Sequence, residues 1–231
     1  MIRHALTTVA LCLLVGPAWA DNIPANGPGT VTEVPSWQPK NGDRIAFDVL
    51  RKGKPFGTHT VSFAVDEDGT LKATTDVRLK AGLGPITVFH YELDATETWK
   101  DGTLVALKGA VDDNGKDGSV SAMRAGDELE VKGTEYTGEA PLGILPSSHW
   151  NFAQTRAKEL LSTEDGELLK VKVIDKGKDT VTVAGKPVEA HHYLMDSAID
   201  VDLWYDDQGR WVKLSFVARD QQIDYVLTQP Y

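Results

Sequence analysis

The chain has 231 residues, of which six are tryptophan and one is cysteine, and a formal net charge of −10. An acidic chain without a run of Lys or Arg is poorly suited to phosphate backbones or anionic lipid surfaces, so we expect no nucleic-acid partner and no electrostatic docking to a membrane. The length allows one domain with a sizeable core.

The first 20 residues have the order of a cleavable secretory signal. Arg3 is followed by an apolar run from Ala5 to Val15 and by the small-x-small triplet Ala18-Trp19-Ala20. The run is too short to cross a bilayer as a helix. We therefore predict a signal peptide over residues 1–20 with cleavage after Ala20, a periplasmic or secreted mature protein, and no permanent membrane anchor.

The mature chain would contain no thiol, because Cys12 lies inside the predicted signal. Disulfides and thiolate metal sites are therefore not expected. Residues 21–41 are rich in proline and have no apolar period, which predicts a mobile lead-in. We assign residues 42–231 to a single β-rich domain.

From Gly42 onward, short segments alternate between apolar and polar residues and are separated by turn dipeptides such as Asp68-Gly69 and Asn114-Gly115. This period of two predicts ten to eleven antiparallel strands with one face on a core. We expect a strongly curved meander sheet, a half-barrel or open barrel. Val61, Val173 and Leu214 should face its core.

Two segments interrupt the alternation. Gly82-Leu83-Gly84-Pro85 divides a long extended stretch, which predicts a bend or crossover. Further on, Trp150, Ala153, Ala157, Leu160 and Leu161 recur at helical spacing. With Ser147 or Ser148 as cap, they predict an amphipathic helix from His149 to Leu161, packed on the concave face of the sheet.

Several turn and aromatic motifs occur together: Gly53-Lys54-Pro55-Phe56-Gly57-Thr58-His59, Glu97-Thr98-Trp99 followed by Asp101-Gly102, Ser148-His149-Trp150-Asn151, Asp202-Leu203-Trp204-Tyr205 and Gly209-Arg210-Trp211-Val212. In this combination the chain resembles a family of exported bacterial domains of unknown function, over roughly Gly42 to Leu227. More distantly it resembles the curved half-barrels of periplasmic lipoprotein-carrier-like proteins. The resemblance implies a concave apolar surface and transfers no catalytic residue.

No motif for catalysis, metal or cofactor binding stands out. The five mature histidines (His59, His90, His149, His191 and His192) form no metal-binding pattern, and neighbours on a strand point to opposite faces. Ser147 and Ser148 precede a histidine but lack the glycine-flanked elbow that a serine nucleophile needs, so capping explains them. We expect no catalytic residue, no metal ligand and no cofactor.

Glu97 and the tryptophans are the candidate ligand contacts. Most carboxylates flank turns, whereas Glu97 lies two residues before Trp99 and hence on the same strand face. Tryptophan fills cores and also lines ligand pockets. We predict that Trp99, Trp150, Trp204 and Glu97 contact a ligand.

Three functions follow from these patterns. The first is a non-catalytic exported protein that binds an apolar or amphiphilic small molecule, a lipid for example, in its concave face. The second is a structural or assembly partner in the cell envelope that binds another protein through a strand edge or an aromatic face. The third is an enzyme with a composite site that combines Glu97 with His90 or His149.

Overall fold

A computed structural model describes residues 37–83 and 86–228. The predicted signal peptide and residues 21–36 of the predicted lead-in lie outside this part of the chain. Within the described part, no helix has the length and apolar character that a membrane crossing requires.

The described chain is built of strands and one short 3₁₀ helix. The strands are β1 (Arg44–Arg51), β2 (Lys54–Val65), β3 (Leu71–Leu83), β4 (Ile86–Lys100), β5 (Thr103–Asp113), β6 (Lys116–Ala125), β7 (Glu128–Gly133), β8 (Thr137–Pro141), β9 (Leu145–Pro146), β10 (Glu159–Leu161), β11 (Leu168–Lys170), β12 (Lys172–Val183), β13 (Lys186–Asp196), β14 (Val201–Asp206), β15 (Trp211–Ala218) and β16 (Gln221–Leu227). The 3₁₀ helix is Phe152–Arg156. The expected ten to eleven strands were too few, because runs of two to six residues carry too little periodicity to be recognised.

Thirteen strands form one antiparallel sheet in the order β12-β13-β14-β15-β16-β1-β2-β3-β4-β5-β6-β7-β8. Two meanders, β1 to β8 and β12 to β16, therefore join where the last strand pairs with the first, with Val49 opposite Tyr225. The predicted antiparallel meander is confirmed. The sheet is not closed, because β8 and β12 each have a neighbour on one side only among the described strands.

The sheet is curved. Residues 149 and 150 connect β14 to β4, because the Tyr205 hydroxyl donates to the carbonyl of His149 and the Trp150 indole donates to Glu97. Six strand spacings separate β14 from β4, roughly 29 Å in a flat sheet. Near one edge, Cα atoms of β12 also come within 8 Å of Cα atoms in β15 and β16. We call the enclosed side the inner face.

Alternate residues fill the inner face, as the period of two predicted. Along β4 the side chains of Leu93, Ala95 and Glu97 are buried, whereas those between them are more exposed. Val61 and Leu214 are buried as expected, and Val173 is half-buried against the core. One-sided burial of this kind is usual for antiparallel strands.

The predicted helix from His149 to Leu161 is wrong. Only Phe152–Arg156 form a 3₁₀ turn, which Asn151 caps by accepting a hydrogen bond from Ala153, and the last three residues of the predicted helix form β10. His149 has a φ of 64°, which a continuous helix does not tolerate. Trp150 and Leu160 are both buried in the core, but neither lies in a helix. Their helical spacing therefore reflects two separate core contacts.

Residues 142–171, here called the cover segment, nevertheless pack on the inner face as the helix was expected to do. Their strands form a small sheet in the order β11-β10-β9. Two glycines of the main sheet allow close approach: a Cβ at Gly109 would lie 1.9 Å from the Thr163 carbonyl oxygen, and one at Gly133 would lie 2.1 Å from that of Asp165. The backbone of the cover segment thus rests directly on β5 and β7.

Two smaller expectations concern the segment around Gly82 and the lead-in. Gly82 and Leu83 end β3, which pairs antiparallel with β4 and places Leu83 opposite Ile86, so the interruption is a hairpin connection and no crossover occurs. In the lead-in, the Trp37 ring contacts Phe63 edge-on at 5.5 Å, and the backbone N–H of Trp37 donates to the Gln208 carbonyl at 3.0 Å. Residues from Trp37 onward therefore pack against the domain.

Candidate functional site

We call the end of the inner face that is remote from the β3–β4 connection its lower part. This part is filled by a buried carboxylate between two tryptophans. Glu97 has no exposed surface, and its Oε2 accepts hydrogen bonds from the indole N–H of Trp99 at 2.9 Å and of Trp150 at 3.0 Å. The two indoles meet edge to face at 5.6 Å. Trp150 belongs to the cover segment, so this group joins the cover segment to β4.

Burial raises the pKa of Glu97 from 4.5 to about 6, although hydrogen bonds from its neighbours act in the opposite direction. A carboxylate without a cationic partner is costly to desolvate, which explains the direction. All three side chains are buried, and their hydrogen bonds join β4 to the cover segment.

Trp204, the fourth predicted contact, lies on the other face of the sheet. Its ring is stacked at 4.3 Å on His192 and lies 4.1 Å from the Lys213 ammonium, and its N–H donates to Asp179. On β14 the neighbouring Leu203 and Tyr205 face the core instead. Trp204 is buried by outer-face side chains.

The upper part of the inner face encloses a cavity of about 560 Å³. Its walls come from β2, β3 and β4 on one side, from β14, β15 and β16 on the other, and from the cover segment. Apolar side chains dominate these walls: Phe56, Val77, Leu79, Val88, Phe89, Leu93, Ile199, Val201, Leu214, Phe216, Ala218 and Ile223. The volume falls in the range of small-molecule pockets.

The cavity extends from the hairpin ends of the sheet towards the Glu97 group. Along β4 its lining runs from Val88 to Leu93, and along β16 from Gln221 to Tyr225. These spans cover five and four residue steps, roughly 13 to 17 Å. We call the hairpin end the mouth and the end near His59 the floor.

The floor is polar but uncharged in character. His59 is 6% exposed, and neither ring nitrogen has a hydrogen-bond partner within the described chain. Its ring stands edge-on to Trp211 at 5.3 Å and to Tyr225 at 5.5 Å. Burial, assisted by the nearby His149, lowers the pKa of His59 from 6.5 to about 3, so the imidazole is neutral at ordinary pH.

One wall carries a half-buried acid. Glu164 of the cover segment accepts a hydrogen bond from the Tyr91 hydroxyl at 2.9 Å. Burial raises the pKa of Glu164 and raises that of Tyr91 well above its usual value, so both groups favour their neutral forms. The cavity below its mouth thus holds no basic side chain that is charged at neutral pH.

Two arginines lie at the mouth, each beside an aromatic ring. The Cζ atom of Arg51 is 5.1 Å from the Phe56 ring centre, and that of Arg219 is 5.6 Å from the Phe89 ring centre. The two phenylalanine rings are stacked on each other at 5.7 Å. The mouth therefore presents two cations on an apolar base, with the carboxylate of Asp113 beside Arg219.

None of the four predicted ligand contacts lines this cavity. Glu97 and Trp99 share the inner face of β4 with Phe89 and Leu93, but they lie below the floor beside Trp150. The predicted contacts on β4 therefore lie on the same face as the cavity but at a different position along the strand, and their contact with a ligand stays a prediction. Phe56, Phe89 and the two arginines were missed, and their positions next to hairpin turns were the only available signal.

The composite catalytic site is not assembled. His90 and Glu97 are seven residues apart on β4, roughly 23 Å, and lie on opposite faces. His90 is bonded to Asp112 at 2.9 Å, and the Nδ1 of His149 is bonded to Gln154 at 3.0 Å. Direct proton transfer requires hydrogen-bond reach, and neither histidine is paired with Glu97.

An open antiparallel sheet with a covered inner face and an apolar cavity defines a β-barrel-like protein. The chain belongs to the family described as "Domain of unknown function (DUF6134)", which matches residues 47–228. The resemblance to a domain family of unknown function is thereby confirmed. No curated protein sequence is similar enough to match.

Among solved structures, the chain is similar to a β-barrel-like protein of the domain of unknown function DUF1849 from Brucella abortus. The TM-score is 0.51 at 11% identity, over 80% of this chain and 94% of that one. This likeness concerns the fold alone. MucB (TM-score 0.32, 13% identity) and the MucA/MucB complex of Pseudomonas aeruginosa (0.33, 16%) match 82% of this chain but only 52% and 51% of theirs.

Proposed function

We propose that this protein is a non-catalytic exported protein that binds an apolar or amphiphilic small molecule in the cavity of its inner face. The single observation that carries the proposal is the cavity of about 560 Å³ with mainly apolar walls. Sites for small molecules are concave, mostly apolar and of this size, and an apolar molecule in the cavity would remove its apolar walls from water.

Export rests on the order of residues 1–20, which lie outside the described chain. The mature protein should begin at Asp21, and sequencing of its N-terminus after secretion would check this. Retention of the N-terminal segment in the mature protein would contradict export through a cleaved signal.

A cavity-filling variant tests the ligand proposal. Val77 is buried and lines the cavity, so Val77→Phe should occupy part of the space, whereas Val217→Phe adds the same ring at a 59% exposed position outside the cavity. After gentle purification, native mass spectrometry should show a bound small molecule on the wild type and on Val217→Phe, and little on Val77→Phe. Equal ligand content in all three proteins, or none in the wild type, would contradict the proposal.

A protein partner at a sheet edge is the less favoured alternative. The edge strand β12 carries Lys172, Asp175, Lys176, Lys178 and Asp179 within twelve residues, and β8 has only five residues and ends in Pro141. Charges, shortness and proline are the usual means by which edge strands avoid pairing with other chains. The edges are thus poorly suited to strand addition.

A further inference from the structure

We infer that the ligand is an anionic amphiphile whose apolar chain enters the cavity first and whose acid group stays at the mouth between Arg51 and Arg219. The inference rests on the proposed function and adds to it the chemical class and the orientation of the ligand.

The arginines are held at the mouth in positions suited to an anion. Each guanidinium lies near a phenylalanine ring of the stacked pair, which stabilises the cation without using its N–H donors. A planar guanidinium can give two parallel hydrogen bonds to a carboxylate or phosphate. The apolar tail of an amphiphile would continue from that point along Phe56 and Phe89 into the cavity.

The charges at the mouth leave one guanidinium without a counter-ion. Arg219 faces Asp113 at 3.7 Å, with 73% of the arginine side chain exposed. Arg51 has no carboxylate within ion-pair distance in the described chain. On a chain with a net charge of −10, the anion would have to be recognised by this local pair, since the overall field repels it.

The opposite orientation is disfavoured by the interior. Below the mouth, the lining offers the neutral imidazole of His59, the half-buried acid Glu164 and several uncharged hydroxyl groups. An acid group placed there would find no cation and would face a carboxyl. Burying an unpaired carboxylate is far more costly than burying an alkyl chain. The apolar chain therefore occupies the interior.

Exposed apolar side chains provide the entry. Val88 is 67% exposed and Ile199 is 48% exposed, and both line the cavity at its mouth. Large apolar side chains left in water near a cavity are typical of binding sites for apolar molecules. An alkyl chain can contact them before it reaches the enclosed part.

Three probes with the same tail separate the head-group charges: decanoate, decanol and decyltrimethylammonium. Isothermal titration calorimetry below micelle-forming concentrations should show decanoate binding about tenfold more tightly than decanol, the size of a charge-assisted hydrogen bond, and the cation most weakly. The preference for decanoate should weaken at high salt.

The arginines are tested by Arg51→Gln combined with Arg219→Gln. This double variant should bind decanoate no more tightly than decanol, while its affinity for decanol stays within about twofold. The control is Arg44→Gln, which removes one positive charge by the same substitution at the opposite end of β1, where Arg44 donates to Thr60 at 3.2 Å. It should retain the preference for decanoate.

The failures are distinguishable. Equal affinity of the wild type for decanoate and decanol, or a preference that survives in the double variant, overturns the anionic amphiphile and leaves the proposed function standing. If none of the three probes binds and the purified protein carries no small molecule, the proposed function is overturned as well.

Discussion

The two ends of the inner face are built by the same strands and reach opposite results. At the lower end, β4 presents Glu97 and Trp99, and the cover segment fills the remaining space with Trp150. At the upper end, β4 presents Phe89 and Leu93, and the space opposite them stays open as the cavity. The difference shows that an inward-facing row of side chains forms a pocket only where no other segment fills it.

The comparison predicts very different responses to large-to-small changes. Trp150→Ala should destabilise the protein by about 4 kcal/mol, because it leaves a buried void and removes a hydrogen bond from Glu97. Phe89→Ala should cost only about 1 kcal/mol, because this half-buried ring already borders open space. Urea denaturation measures both, and equal losses would show that the upper end is as tightly packed as the lower.

A fall in pH should destabilise the folded protein strongly through His59, the buried histidine at the floor of the cavity. The unfolded chain binds a proton at His59 below pH 6.5, whereas the folded chain does so only near pH 3. Stability is therefore present above pH 6.5 and lost as the pH falls, by about 3 kcal/mol between pH 7 and pH 4. His59→Leu should remove most of this loss, as urea midpoints across that range would show.

A histidine outside the cavity provides the control for the acid experiment. His90 is paired with Asp112 and is absent from the cavity lining, so His90→Gln should keep the acid sensitivity of the wild type. If His59→Leu is as acid-labile as the wild type, the buried neutral imidazole does not explain the loss.

The smaller of the two expected pH effects comes from Glu97, the acid in the lower group. Because the pKa of Glu97 is raised from 4.5 to about 6, folding favours its protonated form. Its contribution is fully present below pH 4.5 and is lost as the pH rises through 6, a difference of about 2 kcal/mol. Glu97→Gln should raise stability at pH 7.5 by this amount and abolish the dependence, because the amide oxygen can still accept from the indoles.

Glu92→Gln is the matched substitution on the same strand. Glu92 is exposed and points away from the inner face, so its replacement should change the urea midpoint little at any of these pH values. A decrease in stability of Glu97→Gln at pH 7.5 would show that the charged carboxylate itself is required by the two indoles.

The alternation of side chains was sufficient to predict a large antiparallel meander, because neighbouring side chains on a strand point to opposite faces whatever the rest of the fold does. The buried positions of Val61 and Leu214 followed from it, and so did the shared face of Glu97 and Trp99. The motifs at the turns indicated a domain family of unknown function, which the family match confirms.

The helix and the site depended on contacts between distant segments. Residues 149–161 have a helical spacing of apolar residues, yet Trp150 bonds to β4 and Leu160 pairs with β9 and β11, and these contacts outweigh a weak local preference. In the same way, the periodicity of β4 could not reveal the position along the strand at which the cover segment ends and the cavity begins. Strand period is a local property, whereas an unfilled space results from packing between segments far apart in the chain.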